Sequence, residues 1–189
     1  MNKPYDVGLI CGRFQTFHKG HEKLVETGLL LCDRLLILIG SAQECGTERN
    51  PLNISTRTKI IKEVYGNDPK IMIYGLSDMT NENDICPEWG KYLLNNVDRY
   101  IYKNPELMIY GNDESRSGWF DKRDLKYTTE LILNRNDLPI SATMVREYMA
   151  RDERKKWMEC VNPKLHKMYD EIRSELMSIE FYQNISKQK

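Results

Sequence analysis

A short apolar run that leads into a glycine- and histidine-containing turn constrains the fold more than any other stretch. Tyr5–Cys11 is mostly apolar and predicts a buried parallel strand, and residues 12–21 read Gly-Arg-Phe-Gln-Thr-Phe-His-Lys-Gly-His. The leucine-rich segment His21–Leu31 predicts a helix. Folds of the α/β class bind phosphate in such a strand-to-helix turn, because free N–H groups and the helix dipole point into it. This stretch therefore predicts an α/β fold with an anion site in its first turn.

Six residues of this turn suit an anion-binding site. Two glycines let the backbone come close to a ligand, two histidines three positions apart can donate hydrogen bonds, and two side chains are cationic. These residues are Gly12, Gly20, His18, His21, Arg13 and Lys19.

Two further stretches extend the alternation of strands and helices. Leu35–Ile39 is a continuous apolar run, which is typical of a central parallel strand that is buried on both faces. The long polar loop Ser41–Asn53 follows it, at the end of a strand where α/β proteins place their sites. A helix with Ser55 as its N-cap and a strand over Lys70–Gly75 are predicted next.

The second half of the chain is predicted to continue this alternation. An acidic loop over Leu76–Pro87 precedes a helix that begins at Glu88. Asp98–Tyr102 predicts a fourth strand, and Leu107–Tyr110 predicts a fifth strand or a part of the same edge. From Leu165 onward, apolar residues recur every three or four positions, which predicts an amphipathic helix that packs on the domain or on another subunit.

Together these elements predict a Rossmann-like, three-layer α/β/α fold with a central parallel sheet and a C-terminal helical segment. We expect a single domain over residues 1–189, with a core over about 1–150 and C-terminal helices over about 151–185.

A second anion-binding motif lies in Pro139-Ile140-Ser141-Ala142-Thr143-Met144-Val145-Arg146. Ser141 is placed as a helix N-cap, and Arg146 follows about one and a half turns later. The start of such a helix attracts anions, and arginine can bind phosphate oxygens through two N–H groups at once. We therefore expect this helix start to converge with the first turn on one polyphosphate.

The composition excludes several classes of partner. With 28 basic and 28 acidic residues the formal net charge is +0, so no general affinity for nucleic acid or for an anionic membrane is expected. No apolar run is long enough to span a bilayer, and the N-terminus lacks the apolar core of a signal peptide. Five scattered cysteines without a Cys-x-x-Cys pair favour free thiols in a reducing cytoplasm over disulfides or zinc.

The motif Gly-Arg-Phe-Gln-x-x-His-x-Gly-His resembles the signature of the nucleotidylyltransferase superfamily, whose hallmark is His-x-Gly-His. The pattern Ile-Ser-x-Thr-x-x-Arg at residues 140–146 resembles a second signature of that superfamily. The Gly-Arg-Phe-Gln lead-in, Ile39–Gln43 and Arg49–Pro51 are similar to the archaeal type of nicotinamide-nucleotide adenylyltransferase. By resemblance, the chain is identified as a member of that family.

This resemblance implies three sets of site residues. The catalytic residues would be His18, His21 and Arg146. The residues that bind ATP and its phosphates would be Gly12, Arg13, Phe14, Lys19, Gly20, Arg49, Asn112, Ser141 and Thr143. The residues that bind the nicotinamide nucleotide would be Gln15, Ser41 and Trp89, and no protein side chain is expected to bind a metal ion.

For several of these residues the sequence leaves a structural alternative open. Trp89 matches the family tryptophan that stacks on the pyridine ring, and it also suits a core position. Arg49 matches a triphosphate-binding arginine and also suits a solvated loop. Asn112 matches a residue near the adenine and also suits a simple turn. Arg57 matches a second arginine of the family and also suits a helix-surface salt bridge.

The reaction implied by the resemblance transfers AMP from ATP to nicotinamide mononucleotide and yields NAD and pyrophosphate, a step of NAD biosynthesis. The attacking phosphate has a second pKa of about 6, so it needs no general base and no covalent intermediate at pH 7. Mg²⁺ is expected to accompany ATP, and a homo-oligomer is expected because related enzymes are commonly oligomeric. Two alternatives stay open, namely an adenylyltransferase for phosphopantetheine or FMN, and a non-catalytic regulator that binds NAD or ATP.

Overall fold

The computed structural model describes residues 3–79, 86–111, 116–134 and 138–188. The strands are β1 (Tyr5–Gly12), β2 (Cys32–Ile39), β3 (Ile71–Gly75), β4 (Leu107–Tyr110) and β5 (Thr129–Ile132). The helices are α1 (Lys19–Leu31), α2 (Ile54–Tyr65), α3 (Pro87–Ile101), α4 (Ala142–Ala150), α5 (Arg154–Cys160), α6 (Tyr169–Met177) and α7 (Glu180–Lys187). Short 3₁₀-helices lie at Arg116–Trp119 and Pro163–Met168.

The strands form one parallel sheet in the order β3-β2-β1-β4-β5. From β1 the chain builds the sheet outward through β2 and β3, and it then returns to the other side of β1 to form β4 and β5. The strand order therefore reverses between β1 and β4, and open parallel sheets bind ligands at the carboxyl ends of such strands. This topology confirms the predicted Rossmann-like fold and marks the place of the site.

Both faces of the sheet are buried, which makes the fold three-layered. Along β2, Leu35, Ile37 and Ile39 pack into the layer that contains α1, α2 and α4–α7. The alternate residues Leu36 and Leu38 pack into the opposite layer, which α3 covers. A continuous apolar run in a parallel strand has this consequence, because successive side chains point to opposite faces.

The predicted strand at Asp98–Tyr102 is wrong, because these residues are the end of α3 and its C-cap. The buried side chains Trp89, Leu93, Val97 and Ile101 recur every four positions, so they form one face of a helix against the sheet. Tyr102 ends the helix in the left-handed conformation, with φ of 56°. The short alternation of polar and aromatic residues at positions 98–102 was too brief to outweigh this longer helical period.

Strand β5 and the start of α2 also differ from the sequence prediction. Thr129–Ile132 forms the edge strand beside β4, and its side chains are mostly exposed. Its apolar run, Leu131-Ile132-Leu133, is too short to predict a strand by itself. Asn53, rather than Ser55, caps α2, and its side-chain oxygen accepts a hydrogen bond from the N–H of Thr56 at 2.9 Å.

The C-terminal segment packs on the domain, as one of its two predicted alternatives stated. It is not the single helix expected from Leu165, because it divides into a 3₁₀-helix, α6 and α7 with a break at Ser178 and Ile179. Ile172, Leu176 and Tyr182 of this segment are buried in the same layer as α1 and α2. Within the described ranges, none of the helices has the length and apolar character that a membrane crossing requires.

A completely buried arginine ties the carboxyl ends of β1 and β2 to the loop that follows β2. Arg57 of α2 has no exposed surface, so it does not form the helix-surface salt bridge that the sequence left open. Burial lowers the pKa of Arg57 to about 10, so the guanidinium stays charged at neutral pH. It donates to the backbone carbonyl oxygens of Arg13 (3.1 Å), Gly40 (2.8 Å), Ser41 (3.0 Å), Glu44 (3.4 Å) and Asn53 (3.4 Å).

These hydrogen bonds hold two turns whose backbone is unfavourable by itself. Phe14 and Ser41 lie just beyond the ends of β1 and β2 and adopt φ values of 53° and 49°. The left-handed region costs a residue with a side chain about 1–2 kcal/mol. Arg57 binds the carbonyl of Ser41 and the carbonyl that precedes Phe14, so one side chain stabilises both turns.

We expect Arg57→Met to lower the free energy of unfolding by about 2–4 kcal/mol, because several buried carbonyl oxygens lose their donor. Urea-induced unfolding measures this change. The matched control is Lys59→Met on the same helix, since the Lys59 ammonium forms only an exposed ion pair with Glu171 at 2.7 Å. That control should change stability by less than about 0.5 kcal/mol. Equal losses in the two variants would contradict the role of Arg57.

Candidate active site

A cavity opens at the carboxyl ends of β1 and β4, where the strand order of the sheet reverses. The turn after β1, the loop after β2, the end of β4 and the start of α4 all contribute to its wall. Its charged and imidazole side chains are those of Arg13, His18, His21, Lys23, Arg49 and Arg146. No carboxylate lines it among the residues that the structure describes, so the cavity suits an anion.

His18 closes the first turn and caps α1. Its Nδ1 accepts a hydrogen bond from the backbone N–H of Gly20 at 3.0 Å. Because a backbone N–H can only donate, the proton of a neutral His18 ring lies on Nε2. A Cβ atom added to Gly20 would lie 2.8 Å from the His18 ring, so a side chain there would displace the histidine. The turn thus decides which ring nitrogen of His18 donates to a ligand.

His21 lies beside His18, with a distance of 4.0 Å between the two ring centroids. The buried rings of Phe14 and Phe17 pack against His21 at centroid distances of 4.9 and 5.6 Å. Packing against two aromatic rings fixes the orientation of the imidazole. Phe14 also lines the cavity, so it forms the apolar wall behind the two histidines.

The second motif reaches the same cavity. Ser141 caps α4, because its hydroxyl accepts a hydrogen bond from the N–H of Met144 at 3.2 Å. Arg146 of this helix is only 8% exposed and lines the cavity. Its guanidinium donates to the Thr143 hydroxyl at 3.3 Å and to the carbonyl oxygen of Gln15. The arginine of the second motif is therefore bonded directly to the backbone of the first.

The two lysines at the start of α1 point in different directions. The Lys19 ammonium donates to the carbonyl oxygen of Glu159 at 2.7 Å, and the structure does not bring this lysine to the cavity. Lys23, which the sequence analysis did not identify as a site residue, lines the cavity instead. Residues three positions apart share a helix face, so the spacing from Gly20 to Lys23 could have identified it.

Gln15 and Ser41, which were expected to bind the nicotinamide nucleotide, are both almost completely buried. The side-chain amide of Gln15 donates to the carbonyl of Leu52 at 3.0 Å and accepts from its N–H at 2.9 Å. The Ser41 carbonyl binds Arg57. Gln15 lines the cavity, whereas Ser41 does not. The hydrogen bonds of both residues hold the loop after β2 in place.

Trp89 lies on the face of α3 that packs against the sheet, in the opposite layer from α1. It is 8% exposed, and its ring packs against that of Trp119 at a centroid distance of 4.7 Å. A Cβ atom at Gly90 would lie 1.7 Å from the Trp119 carbonyl oxygen, so only glycine permits this approach. A small apolar cavity between Trp119 and Cys11 has a volume of about 10 Å³, roughly the room for one water molecule. The structure thus places Trp89 outside the phosphate cavity.

Of the remaining predicted residues, three lie at the cavity and one is not described. Gly12, Arg13 and the exposed Arg49 line it. Asn112 lies outside the described residues, although Gly111 before it lines the cavity at the end of β4.

The side chains that line the cavity suit an anion to which a divalent cation is already bound. The described part of the chain contains no group of three or more His, Cys, Asp or Glu side chains placed to hold a metal ion. Divalent cations such as Mg²⁺ can instead bind the oxygens of a polyphosphate and keep several waters. Imidazole and cationic side chains around the cavity leave the phosphate oxygens available to such an ion.

Comparison with known proteins gives the same assignment. A family model described as cytidylyltransferase-like matches residues 9–148, which include both anion-binding motifs. The nicotinamide-nucleotide adenylyltransferase of Pyrococcus horikoshii is 30% identical over 149 residues, which cover 77% of this chain and 74% of that protein. The nicotinamide-nucleotide adenylyltransferase of Saccharolobus solfataricus is 36% identical over 90 residues, and this match spans 46% of this chain and only 50% of that protein.

A bifunctional NMN adenylyltransferase/ADP ribose pyrophosphatase from Francisella tularensis has the same fold, with a TM-score of 0.72 at 22% identity over 96% of this chain and 52% of that chain. Its complex with AMP and a manganese ion superposes with a TM-score of 0.67, with the same identity and coverage. The chain therefore belongs to the cytidylyltransferase-like family, in the branch of the nicotinamide-nucleotide adenylyltransferases.

Proposed function

We propose that this protein transfers AMP from ATP to nicotinamide mononucleotide and releases pyrophosphate and NAD. The observation that carries the proposal is the meeting of two anion-binding segments in one cavity. His18 of the first turn and Arg146 of α4 line that cavity, and Arg146 binds the backbone of the first turn. This arrangement supports a site for one polyphosphate. The relation to the nicotinamide-nucleotide adenylyltransferases supports ATP and nicotinamide mononucleotide as the substrates.

The reaction needs placement and charge stabilisation rather than a nucleophilic side chain. The phosphate of the acceptor attacks the α-phosphorus of ATP in line, and the bond from that phosphorus to the bridging oxygen of pyrophosphate breaks. The acceptor phosphate is already mostly dianionic at pH 7. His18, through Nε2–H, and His21 donate to phosphate oxygens where negative charge grows on the leaving pyrophosphate. Mg²⁺ that accompanies ATP would neutralise part of that charge.

The other residues of the cavity hold the triphosphate. The proposed ligands are the cations Arg13, Lys23, Arg49 and Arg146 and the backbone at Gly12 and Gly20. Phe14 supports His21, while Ser141 and Thr143 hold the start of α4 and Arg146. Because Lys19 binds a carbonyl of α5, we assign its expected role to Lys23. The role of Asn112 at the adenine stays a prediction.

For the acceptor, we propose that the pyridine ring stacks on Trp89, next to Gln15 and Ser41. A flat aromatic beside a pyridinium cation contributes about 0.5–2 kcal/mol. The Trp89 ring is 8% exposed and packs against Trp119, so a pyridine ring that stacks on Trp89 would have to displace Trp119.

We also propose a homo-oligomer in a reducing cytoplasm, without a nucleic-acid partner. All five cysteines are free thiols, which suits a reducing compartment. The balanced net charge of +0 supports the absence of nucleic acid. The proposed domain is single and spans residues 1–189.

Pyrophosphate release with ATP and Mg²⁺ tests the proposed function. Nicotinamide mononucleotide, nicotinate mononucleotide, phosphopantetheine and FMN are compared as acceptors, with ATP alone as the blank. We expect rapid release with the pyridine nucleotides only. Release with another acceptor would keep the adenylyl transfer and refute the assignment of Trp89. Tight ATP binding without release in any mixture would favour a regulator.

We expect His21→Ala to lower kcat by about 10²–10³-fold with little change in ATP affinity, because His21 acts where charge develops in the transition state. Steady-state kinetics together with ATP titration calorimetry separate the two effects. His166→Ala is the matched control, since His166 lies near the Met158 carbonyl on the C-terminal segment and away from the cavity. Equal losses in turnover and affinity would contradict this role of His21.

Lys23→Ala should raise the KM for ATP about tenfold, because a charge-assisted hydrogen bond to phosphate is lost. Lys19→Ala removes a lysine four positions away in the same helix and should leave that KM unchanged. The same pyrophosphate assay at varied ATP measures both variants. A larger effect from Lys19 than from Lys23 would reverse the assignment.

A further inference from the structure

We propose that Tyr182, in the C-terminal helix α7, is a positioning residue that sets Arg146 and the Arg49 loop for the triphosphate of ATP. The inference rests on the proposed function for the identity of the ligand. The hydroxyl of Tyr182 itself does not line the cavity, so it acts through the two segments that it joins.

The hydroxyl of Tyr182 lies between a side chain and a backbone carbonyl. It accepts a hydrogen bond from Nε of Arg146 at 2.7 Å and donates one to the carbonyl oxygen of Glu48 at 2.6 Å. Guanidinium nitrogens only donate, so the phenolic proton must point to Glu48. Burial raises the pKa of Tyr182, which keeps that proton in place at neutral pH. The direction of both bonds is therefore fixed.

These bonds determine how Arg146 meets a ligand. Tyr182, Gln15 and Thr143 each accept one hydrogen bond from its guanidinium, at Nε, Nη1 and Nη2. A guanidinium has five N–H donors, so two remain, one on each Nη. That pair can bind two phosphate oxygens at once, provided that the plane of the group is held. The bond from Nε to Tyr182 holds one edge of that plane.

The same hydroxyl positions the neighbouring cation. Glu48 directly precedes Arg49, so the bond from Tyr182 to the Glu48 carbonyl fixes the backbone from which Arg49 reaches the cavity. Arg49 and Arg146 are far apart in the chain, and one hydroxyl lies between their two segments. Loss of this hydroxyl should therefore affect the binding of the triphosphate more than that of the acceptor.

A second contact shows that the C-terminal segment holds this loop at more than one point. Glu175 of α6 accepts hydrogen bonds from the backbone N–H and the side-chain amide of Asn53, both at 2.6 Å, and from the Thr56 hydroxyl at 2.6 Å. Glu175 and Tyr182 both lie beyond residues 9–148, the segment that the family model matches. The C-terminal helices thus add supports to the site from outside the matched segment.

The decisive variant is Tyr182→Phe, which keeps the buried ring and removes only the hydroxyl. Its matched control is Tyr169→Phe in the same layer of the core. The two tyrosines are 2% and 1% exposed, and the Tyr169 hydroxyl donates to Asp152 at 2.8 Å, away from the cavity. Each change deletes one buried hydroxyl, so thermal unfolding of the two variants shows the purely structural cost.

ATP titration calorimetry and steady-state kinetics then separate positioning from packing. We expect Tyr182→Phe to raise the ATP dissociation constant and the KM for ATP about tenfold, while the KM for nicotinamide mononucleotide changes less than twofold. Tyr169→Phe should leave all three constants unchanged. If wild type binds ATP but releases no pyrophosphate, the proposed function fails, and the calorimetry still tests Tyr182.

A double-mutant cycle with Arg146→Lys checks whether Tyr182 acts through Arg146. Lysine lacks the Nε–H and cannot present two donors in a plane, so removal of the Tyr182 hydroxyl should weaken ATP binding less than twofold further in that background. Additive losses, or identical ATP affinities for Tyr182→Phe and Tyr169→Phe, would overturn the inference. If Tyr182→Phe does not fold, Glu175→Gln supplies the test, because it weakens the anchor of the same loop at Asn53. This variant should also raise the ATP dissociation constant. An unchanged constant would overturn the inference.

Discussion

The burial of the Arg57 guanidinium is the interaction on which the rest of the site depends. A charge without solvent is costly, and here backbone carbonyl dipoles replace the water that it loses. Those carbonyls belong to the turn after β1 and to the loop after β2, which both depart from regular structure at the carboxyl ends of their strands. The arginine therefore lets two irregular segments meet beside a parallel sheet, where the cavity forms.

Around this arginine, hydrogen bonds join four segments that are remote in sequence. The side chain of Gln15 binds the backbone of Leu52, so the first turn and the loop after β2 are one unit. Arg146 binds the carbonyl of Gln15, which adds α4, and the Tyr182 hydroxyl adds the C-terminal helix. Such a network is rigid because most of its acceptors are backbone atoms. It places Arg13, Arg49 and Arg146, cations from three of these segments, around one cavity.

The two layers beside the sheet differ in the side chains that they place near the carboxyl ends of β1 and β4. Imidazoles and cations surround the cavity on the side of α1 and α4, whereas the aromatic pair Trp89 and Trp119 lies in the layer that contains α3. The two environments adjoin at β1 and β4, because Cys11 and Tyr110 near the carboxyl ends of these strands line both the cation-rich cavity and the small cavity beside Trp119.

By itself the sequence determined the parallel core, the first turn and the capped start of α4, because apolar runs, caps and turn residues act within a few positions of the chain. Tertiary structure decided the rest. Strand β5 exists only through pairing with β4, and Asp98–Tyr102 continues a helix because its apolar face packs on the sheet. The burial of Arg57 and the contact of Tyr182 with Arg146 join residues far apart in the chain. No local pattern encodes such contacts, since they form only when the layers pack.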